Sequence, residues 1–455
     1  MKSKNTIVYF LFFIGIIVST LGCKKYLDAK PDKKLVIPEK IEDLQALLDR
    51  NSAMNRYGLS YGEGSSDNFY LTNTIWSGLN EANRNIYLWE EQIEFEGLTS
   101  GWGSFYQMIY YANATLENIN KIEHNSSNKI AWENVKGSAL FFRGLGFFSV
   151  ASTWSKGYDQ NTAASDLGIP LRLNSDFNET SLRSSVKNTY EQILADAAES
   201  VQLLPIVPAH IMRPSRPAAY ALLSRTYLAM QQFEKAGAYA DSCLQLFNTM
   251  LDYNALNANA SFPISRFNEE SIFFNEQPAL SLLTNTRANV DSILYQSYEI
   301  NDLRKEVFFK NNGNGSYSFK GNYTGGSSLF DGFTTSEVLL TRAECLARQG
   351  KLVESLKDLN DLLRKRFKTG TYADINVSGT EVALQLILAE RRKELLMRNL
   401  RWMDIKRLNK EPGRETTLKR IINNQTYILP PNDNRYALPI PRSIITISKM
   451  QQNPR

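Results

Sequence analysis

Apolar positions along this chain recur mostly at helical spacing, and the stretch from Ser336 to Leu408 shows the pattern most plainly. Leu339, Ala343 and Leu346 fall three and four residues apart, Arg348-Gln349-Gly350 interrupts them, and Leu352, Leu356, Leu359 and Leu363 resume the rhythm. That spacing puts each set on one face of a helix, so the two helices can pack as an antiparallel pair. The small residues Ala343, Ala347 and Ser355 let the backbones approach, which is the logic of a tetratricopeptide-like repeat. A Gly/Ser/Thr loop then leads to a long helix carrying Ala389 to Leu395 and, beyond it, Arg401 to Arg407.

The same rhythm runs upstream. A helix is predicted over Ile41–Leu48. Trp102, Phe105, Ile109, Ala112, Leu116 and Ile119 keep helical register, and Ile130 to Thr153 is apolar nearly all round, so that helix should be buried. Val186, Tyr190, Ile193, Ala197, Val201 and Leu204 make another amphipathic helix. Ser215 and Pro217 stand where a cap and a first-turn proline belong, ahead of Tyr220, Leu223, Tyr227, Ala236 and Ala240. This gives roughly three helix pairs, enough for a short solenoid to bury a shared core. The predicted fold is mostly α: a tetratricopeptide-like helical repeat scaffold with irregular, loop-rich insertions and a few short strands.

Two segments break the rhythm, Arg50–Gly101 and Asp252–Phe333, both rich in Asn, Gly, Ser and Tyr. Loops that long inside a compact domain are usually functional or disordered, and their aromatics argue against disorder. Both should gather on one side of the scaffold. The tail, with Tyr427-Ile428-Leu429 and Leu438-Pro439-Ile440-Pro441, reads as an extended strand packing on the body.

The N-terminus sets the compartment. Lys2 and Lys4 precede an apolar run from Ile7 to Val18, then Ser19-Thr20-Leu21-Gly22-Cys23. The run falls short of the roughly 20 residues a membrane span needs and suits a signal-peptide core. A small residue directly before a cysteine is the arrangement of a bacterial lipobox, although Thr20 stands where Leu is usual. Cys23 would then be the acylated first residue of the mature chain. Residues 1–22 are read as a lipoprotein signal peptide, 23–40 as a lipid-anchored tether and 41–455 as a single helical domain.

Charge narrows the partners. The formal charge is +5, and without Lys2 and Lys4 it is 50 basic against 47 acidic residues, or +3. Basic and acidic residues are interleaved, as in Lys351 to Arg366, so nucleic acid is not expected as a partner. The two histidines, His124 and His210, are far apart, which leaves almost nothing for a zinc site or a Ser-His-Asp device, and no metal or cofactor is expected. Cys243 and Cys345 lie on apolar helix faces, where buried thiols are the plain reading and a disulfide remains open. The glycines of 313–326 lack the Gly-Lys-Ser/Thr ending of a phosphate loop.

Glu390 and Glu394, one helical turn apart, are the nearest thing to a paired-carboxylate hydrolase. Arg391, Arg392 and Lys393 crowd between them, so both should stay ionised and leave no proton donor. A salt-bridged packing helix is the plainer reading, and no catalytic residue is assigned. Binding is better served. Asn68, Tyr70, Asn73, Trp76 and Asn80 in the first insertion, with Tyr317 and Tyr323 in the second, pair aromatic rings with amides. Sugar rings lay their apolar C–H faces on such rings while their hydroxyls take amide partners.

A family resemblance agrees. Arg342-Ala343-Glu344 through Gly350, Leu359-Asn360 with Leu363 to Arg366, Glu390-Arg391 with Glu394-Leu395, and Arg401-Trp402 with Asp404 resemble the C-terminal half of the SusD/RagB family. Lys24-Lys25-Tyr26-Leu27-Asp28, Trp102 to Asn113, Arg143, Asp166 to Pro170 and the Pro-Ile-Pro ending extend it over most of the chain. One departure is Thr334, where family members often carry Arg three residues before the glutamate matched by Glu337. The resemblance implies a non-catalytic surface lipoprotein of Bacteroidetes-type bacteria, capturing a nutrient, mostly glycan, for a TonB-dependent outer-membrane β-barrel importer. It also places ligands near the two insertions. The alternative is a lipid-anchored helical-repeat scaffold that binds only protein partners.

Overall fold

The computed structural model describes residues 40–93 and 101–455. The expected signal peptide, Cys23 and the expected tether up to residue 39 lie outside the described residues. Each predicted helix forms where its apolar stripe begins and ends: α1 (Ile41–Leu48), α2 (Gly101–Ile119), α3 (Lys129–Trp154), α4 (Val186–Leu203), α5 (Arg216–Ala229) and α6 (Phe233–Leu246). After the second insertion come α7 (Thr335–Arg348), α8 (Leu352–Arg364), α9 (Thr380–Glu394) and α10 (Arg401–Leu408). Residues Ile41–Arg455 form one compact unit.

Consecutive helices from α2 to α8 pack side by side, and α9 lies across α7. The pairing of α6 with α7 holds although the whole second insertion separates them in sequence. α3 is the buried centre, packed between α2 and α4, with Phe141, Phe142, Leu145 and Phe147 all enclosed and Phe141 and Phe142 edge-on to Phe273 of the second insertion. Gly146 makes that enclosure possible, because a Cβ there would come within 2.8 Å of Ile109 and Met108. Arg143, on the same helix, donates to Asp196 of α4 at 2.6 and 2.8 Å and to Asn113 of α2 at 3.2 Å. One guanidinium thus ties three helices together.

Local chemistry sets the ends. Ser215 caps α5 by accepting from Ala218 N–H, and Pro217 sits in its first turn. Gly350, at φ +81°, makes the turn between α7 and α8. Thr334 caps α7 by accepting from Glu337 N–H and also accepts from Arg398 at 2.9 Å. Glu337 finds its cation elsewhere, in buried Arg225 at 2.7 Å. The threonine departure therefore leaves Glu337 paired.

The structure differs from expectation in three places. Ala389 to Arg407 is two helices, since Met397 and Asn399 adopt left-handed backbone at φ 59° and 58° and turn the chain between α9 and α10. The tail is a hairpin, Leu418–Ile422 against Gln425–Leu429, closed by left-handed Asn423 and Asn424, which suit a two-residue turn. Residues 51–89 are not an open loop: they include short helices (Tyr61–Ser65, Asn73–Ser77, Glu81–Leu88), and Tyr57, Tyr61, Ile86, Tyr87 and Trp89 are buried. Aromatic content decided that outcome, because burying such rings outweighs their poor periodicity. Cys243 and Cys345 are buried and unbridged.

Candidate functional site

The two insertions meet in a short antiparallel ladder. Phe69–Tyr70 pairs with Asn289–Val290, with Tyr70 opposite Asn289. Asn289 accepts a hydrogen bond from the Asn312 amide at 3.1 Å, and neighbouring Asn311 pairs with Tyr317 in a second ladder. Tyr317 stacks on Tyr295, with ring centroids 3.6 Å apart and planes within 14°. Burial and the neighbouring Tyr317 push the Tyr295 phenol up to about 12, so it stays neutral and able to donate. Tyr70, Tyr295 and Tyr317 are half-buried and Asn312 is exposed. Together they form a platform of aromatic faces with the Asn312 amide beside them, while Asn289 is buried.

Rigidity comes from beneath. Asp67 receives Arg401 of α10 at 2.6 and 2.8 Å, and Arg392 of α9 donates to the Asp67 carbonyl at 2.9 Å. Burial opposes ionisation, but Arg401 and then Arg392 outweigh it and hold the Asp67 carboxyl well below the usual carboxylate range. Buried Arg420, from the C-terminal hairpin, lies over Tyr87 at 4.2 Å and Phe69 at 4.9 Å and donates to the Phe69 and Ser66 carbonyls. Glu63 accepts from Asn68 at 2.7 Å and from Asn399 N–H at 3.2 Å, while the Asn68 carbonyl accepts from Asp291 N–H. The platform is therefore built on charged residues of the C-terminal half.

Of the residues expected to bind, Tyr70 and Tyr317 lie on two ladders linked through the Asn312–Asn289 hydrogen bond. Asn73 is exposed close by, its side chain accepting from Asn423 N–H of the hairpin turn at 3.0 Å. Trp76 is half-buried with Arg84 5.8 Å from its ring, and Asn80 caps the Glu81–Leu88 helix by accepting from Asn83 N–H. Two expectations are corrected. Asn68 is only 1 % exposed and held by Glu63. Tyr323, also 1 % exposed, bonds Tyr253 at 2.8 Å and lies under Arg398 at 3.6 Å. Both are interior struts, because each is held by polar partners inside the body. Tyr295, Asn289 and Asn312 went unnoticed in the sequence. No spacing marks them, since only cross-segment pairing puts them beside Tyr70 and Tyr317.

The paired glutamates are structural. Glu390 bonds Arg304 at 2.7 Å and also Lys393, while Glu394 bonds Arg366 at 2.8 Å and Arg304 at 3.2 Å. Burial would raise both, but Arg304 for Glu390 and Arg366 with Arg304 for Glu394 win and lower them. Two carboxylates held ionised in the interior cannot protonate a leaving group. His124 stacks on Trp132, and His210 packs on Phe267. Among the described residues, no group of three or more His, Cys, Asp or Glu is arranged to hold a metal, and no helix is long and apolar enough to cross a membrane.

Repeat helices supporting a platform made by two insertions define a helical-repeat scaffold with a loop-built aromatic face. Residues 25–228 match a family model described as "Starch-binding associating with outer membrane" (SusD-like), and residues 296–455 match that of the SusD family (SusD_RagB). The chain belongs to the SusD/RagB family. It is similar to the SusD-like protein P38 of Formosa agariphila, 21 % identical over 90 % of this chain and 92 % of that one. Among solved structures it resembles a SusD superfamily protein from Bacteroides thetaiotaomicron, with a TM-score of 0.73 at 22 % identity, covering 91 % of this chain and 100 % of that one. It also resembles a SusD-like carbohydrate binding protein from Bacteroides vulgatus, with a TM-score of 0.68 at 20 % identity over 90 % and 97 % of the two chains.

Proposed function

We propose that this protein binds a glycan, without chemically changing it, on the platform of Tyr70, Tyr295 and Tyr317. It then hands the glycan to a TonB-dependent β-barrel importer in the outer membrane. The observation that carries this reading is the stacked Tyr295–Tyr317 pair beside the Asn289–Asn312 amides, joined to Tyr70 through the ladder between the two insertions. Ring faces take the apolar side of a saccharide, and the exposed Asn312 amide takes its hydroxyls. Capture needs no covalent step, in keeping with two glutamates locked in ion pairs. An acylated Cys23 would hold the chain at the outer membrane, since several acyl chains anchor stably where one does not. The family's description as starch-binding and outer-membrane-associated supports the same assignment.

Retention of the purified chain on immobilised polysaccharides tests the binding step. Loss of retention in the Tyr295→Ala/Tyr317→Ala variant is the expected result, and equal retention would remove the platform from the account. For the delivery step, a tagged full-length chain is recovered from detergent-solubilised outer membranes. A large β-barrel protein in near-equal amount is expected. Recovery of other proteins alone would favour the protein-binding scaffold.

A further inference from the structure

A second aromatic cleft lies on a different part of the molecule. It has a volume of about 590 Å³ and is bounded by the outward face of α2, the loop 171–182 and the short C-terminal helix Arg442–Ser448. None of the platform residues lines it. Tyr110 of α2 stacks on Phe177 of the loop, with centroids 4.7 Å apart and planes at 30°. Trp102 and Tyr106 continue the wall, 5.0 Å apart and tilted by 33°. Gln107 and Asn174 line the same space, and so does Ile447.

Phe177 is 79 % exposed, yet its loop is firmly braced. The Arg172 guanidinium donates to the Asp176 and Glu179 carbonyls from within the loop. From α2, Asn113 donates to the Arg172 and Asn174 carbonyls at 2.8 and 3.0 Å, and Glu117 accepts from Ser175 N–H at 2.6 Å. Bracing of this kind spends hydrogen bonds to hold an apolar ring in water. A ring so held is pre-organised for something that covers it, because the ordering cost is met before binding.

The cleft opens to solvent at Phe177 and Ile447, and Gln107, Asn113 and Asn174 stand among its rings. A slot for an acyl chain would instead be enclosed and free of such groups. Space of this size accommodates a few sugar rings. We propose that the cleft is a second saccharide site, which takes a short run of hexose units on the Tyr110–Phe177 wall while the platform holds another part of the glycan. The inference rests on the glycan-binding reading given above. Two separated sites would let one chain grip a long polysaccharide at two points, which raises effective affinity without tighter single contacts.

Calorimetric titration of the full mature chain, in a detergent without sugar groups, tests it with maltotriose, cellotriose, xylotriose and laminaritriose in turn. The expected result is two sites per chain for at least one trisaccharide. That number should fall to one in Phe177→Ala, stay at two in Phe177→Trp, and fall to one in Tyr295→Ala/Tyr317→Ala. Exposed Phe177 can be truncated without loss of core packing, so its variant should fold as the parent does. A single site in the parent, or two sites that persist in Phe177→Ala, overturns the cleft and leaves the platform standing. No binding of any of the four overturns the glycan reading and the cleft together.

Discussion

The Arg366 guanidinium donates to both oxygens of the Glu394 carboxylate, at 2.8 and 3.1 Å, and neither side chain reaches solvent. Arg366 also bonds Glu270, from the second insertion, at 2.8 Å. Glu394 shares Arg304 with Asp302 and Glu390. This buried network joins the end of α9 to the segment that carries Tyr295 and Tyr317.

Removing Glu394 takes a carboxylate partner from two buried guanidiniums, leaving Arg366 with Glu270 and Arg304 with Asp302 and Glu390. Glu394→Gln is expected to lower unfolding free energy by about 3–5 kcal/mol, read from urea denaturation. Glu390 and Glu394 both have folded-state pKa values below the ordinary 4.5. Their contribution is therefore present above that value and is lost as pH falls through the folded-state values. The parent should lose stability on acidification, and Glu394→Gln should lose less.

Glu63 has the opposite sign. Burial pushes its carboxyl from 4.5 up to about 7, against the hydrogen bonds from Asn68, Ser66 and Asn399. A raised carboxyl favours folding when protonated, so its contribution is full below the unfolded value and fades as pH climbs through about 7. Asp331, also raised to about 7 by burial, acts in the same direction. Glu63→Gln should flatten part of the decline in urea midpoint across that window. An unchanged decline would show that Glu63 does not titrate there.

Two tyrosines of the second insertion should behave differently. Tyr317→Ala removes one ring of the stacked pair and is expected to weaken glycan binding roughly five- to thirty-fold, or ~1–2 kcal/mol. Tyr323→Phe removes the hydroxyl bonded to Tyr253 at 2.8 Å and Glu270 at 3.3 Å. It should cost about 1–2 kcal/mol of stability and leave affinity unchanged. Titration and thermal unfolding of both variants, side by side, separate the platform from its support.

Anchoring is tested at Cys23. Cys23→Ala should abolish labelling by radioactive palmitate and move the protein into the aqueous phase on detergent phase separation. Continued labelling would place the acyl chains on another residue.

The helical scaffold was legible because its helices carry their own instructions. Leu339 to Leu363 display the repeat in their spacing, and Ser215 with Pro217 mark a helix start, since a cap acts on the two or three residues beside it. Long-range ties were not legible in that way. Arg143 stands out in the sequence only as a match to the family, and its grip on Asp196 and Asn113 needs three helices in place.

The aromatic platform lay further from what local pattern can express. Tyr70 and Tyr317, singled out by residue type, are half-buried, but Tyr323 and Asn68, equally plausible on that ground, turned inward. Residue type cannot distinguish them, because a tyrosine or asparagine is content at a surface or in a satisfied interior site. The sequence by itself determined the repeat scaffold, its interruptions and the poverty of catalytic groups, all of which depend on nearest neighbours and composition. Only the tertiary structure decided which aromatics face outward. That choice rests on the pairing of Tyr70 with Asn289 and on ion pairs such as Asp67–Arg401, whose partners lie far apart along the chain.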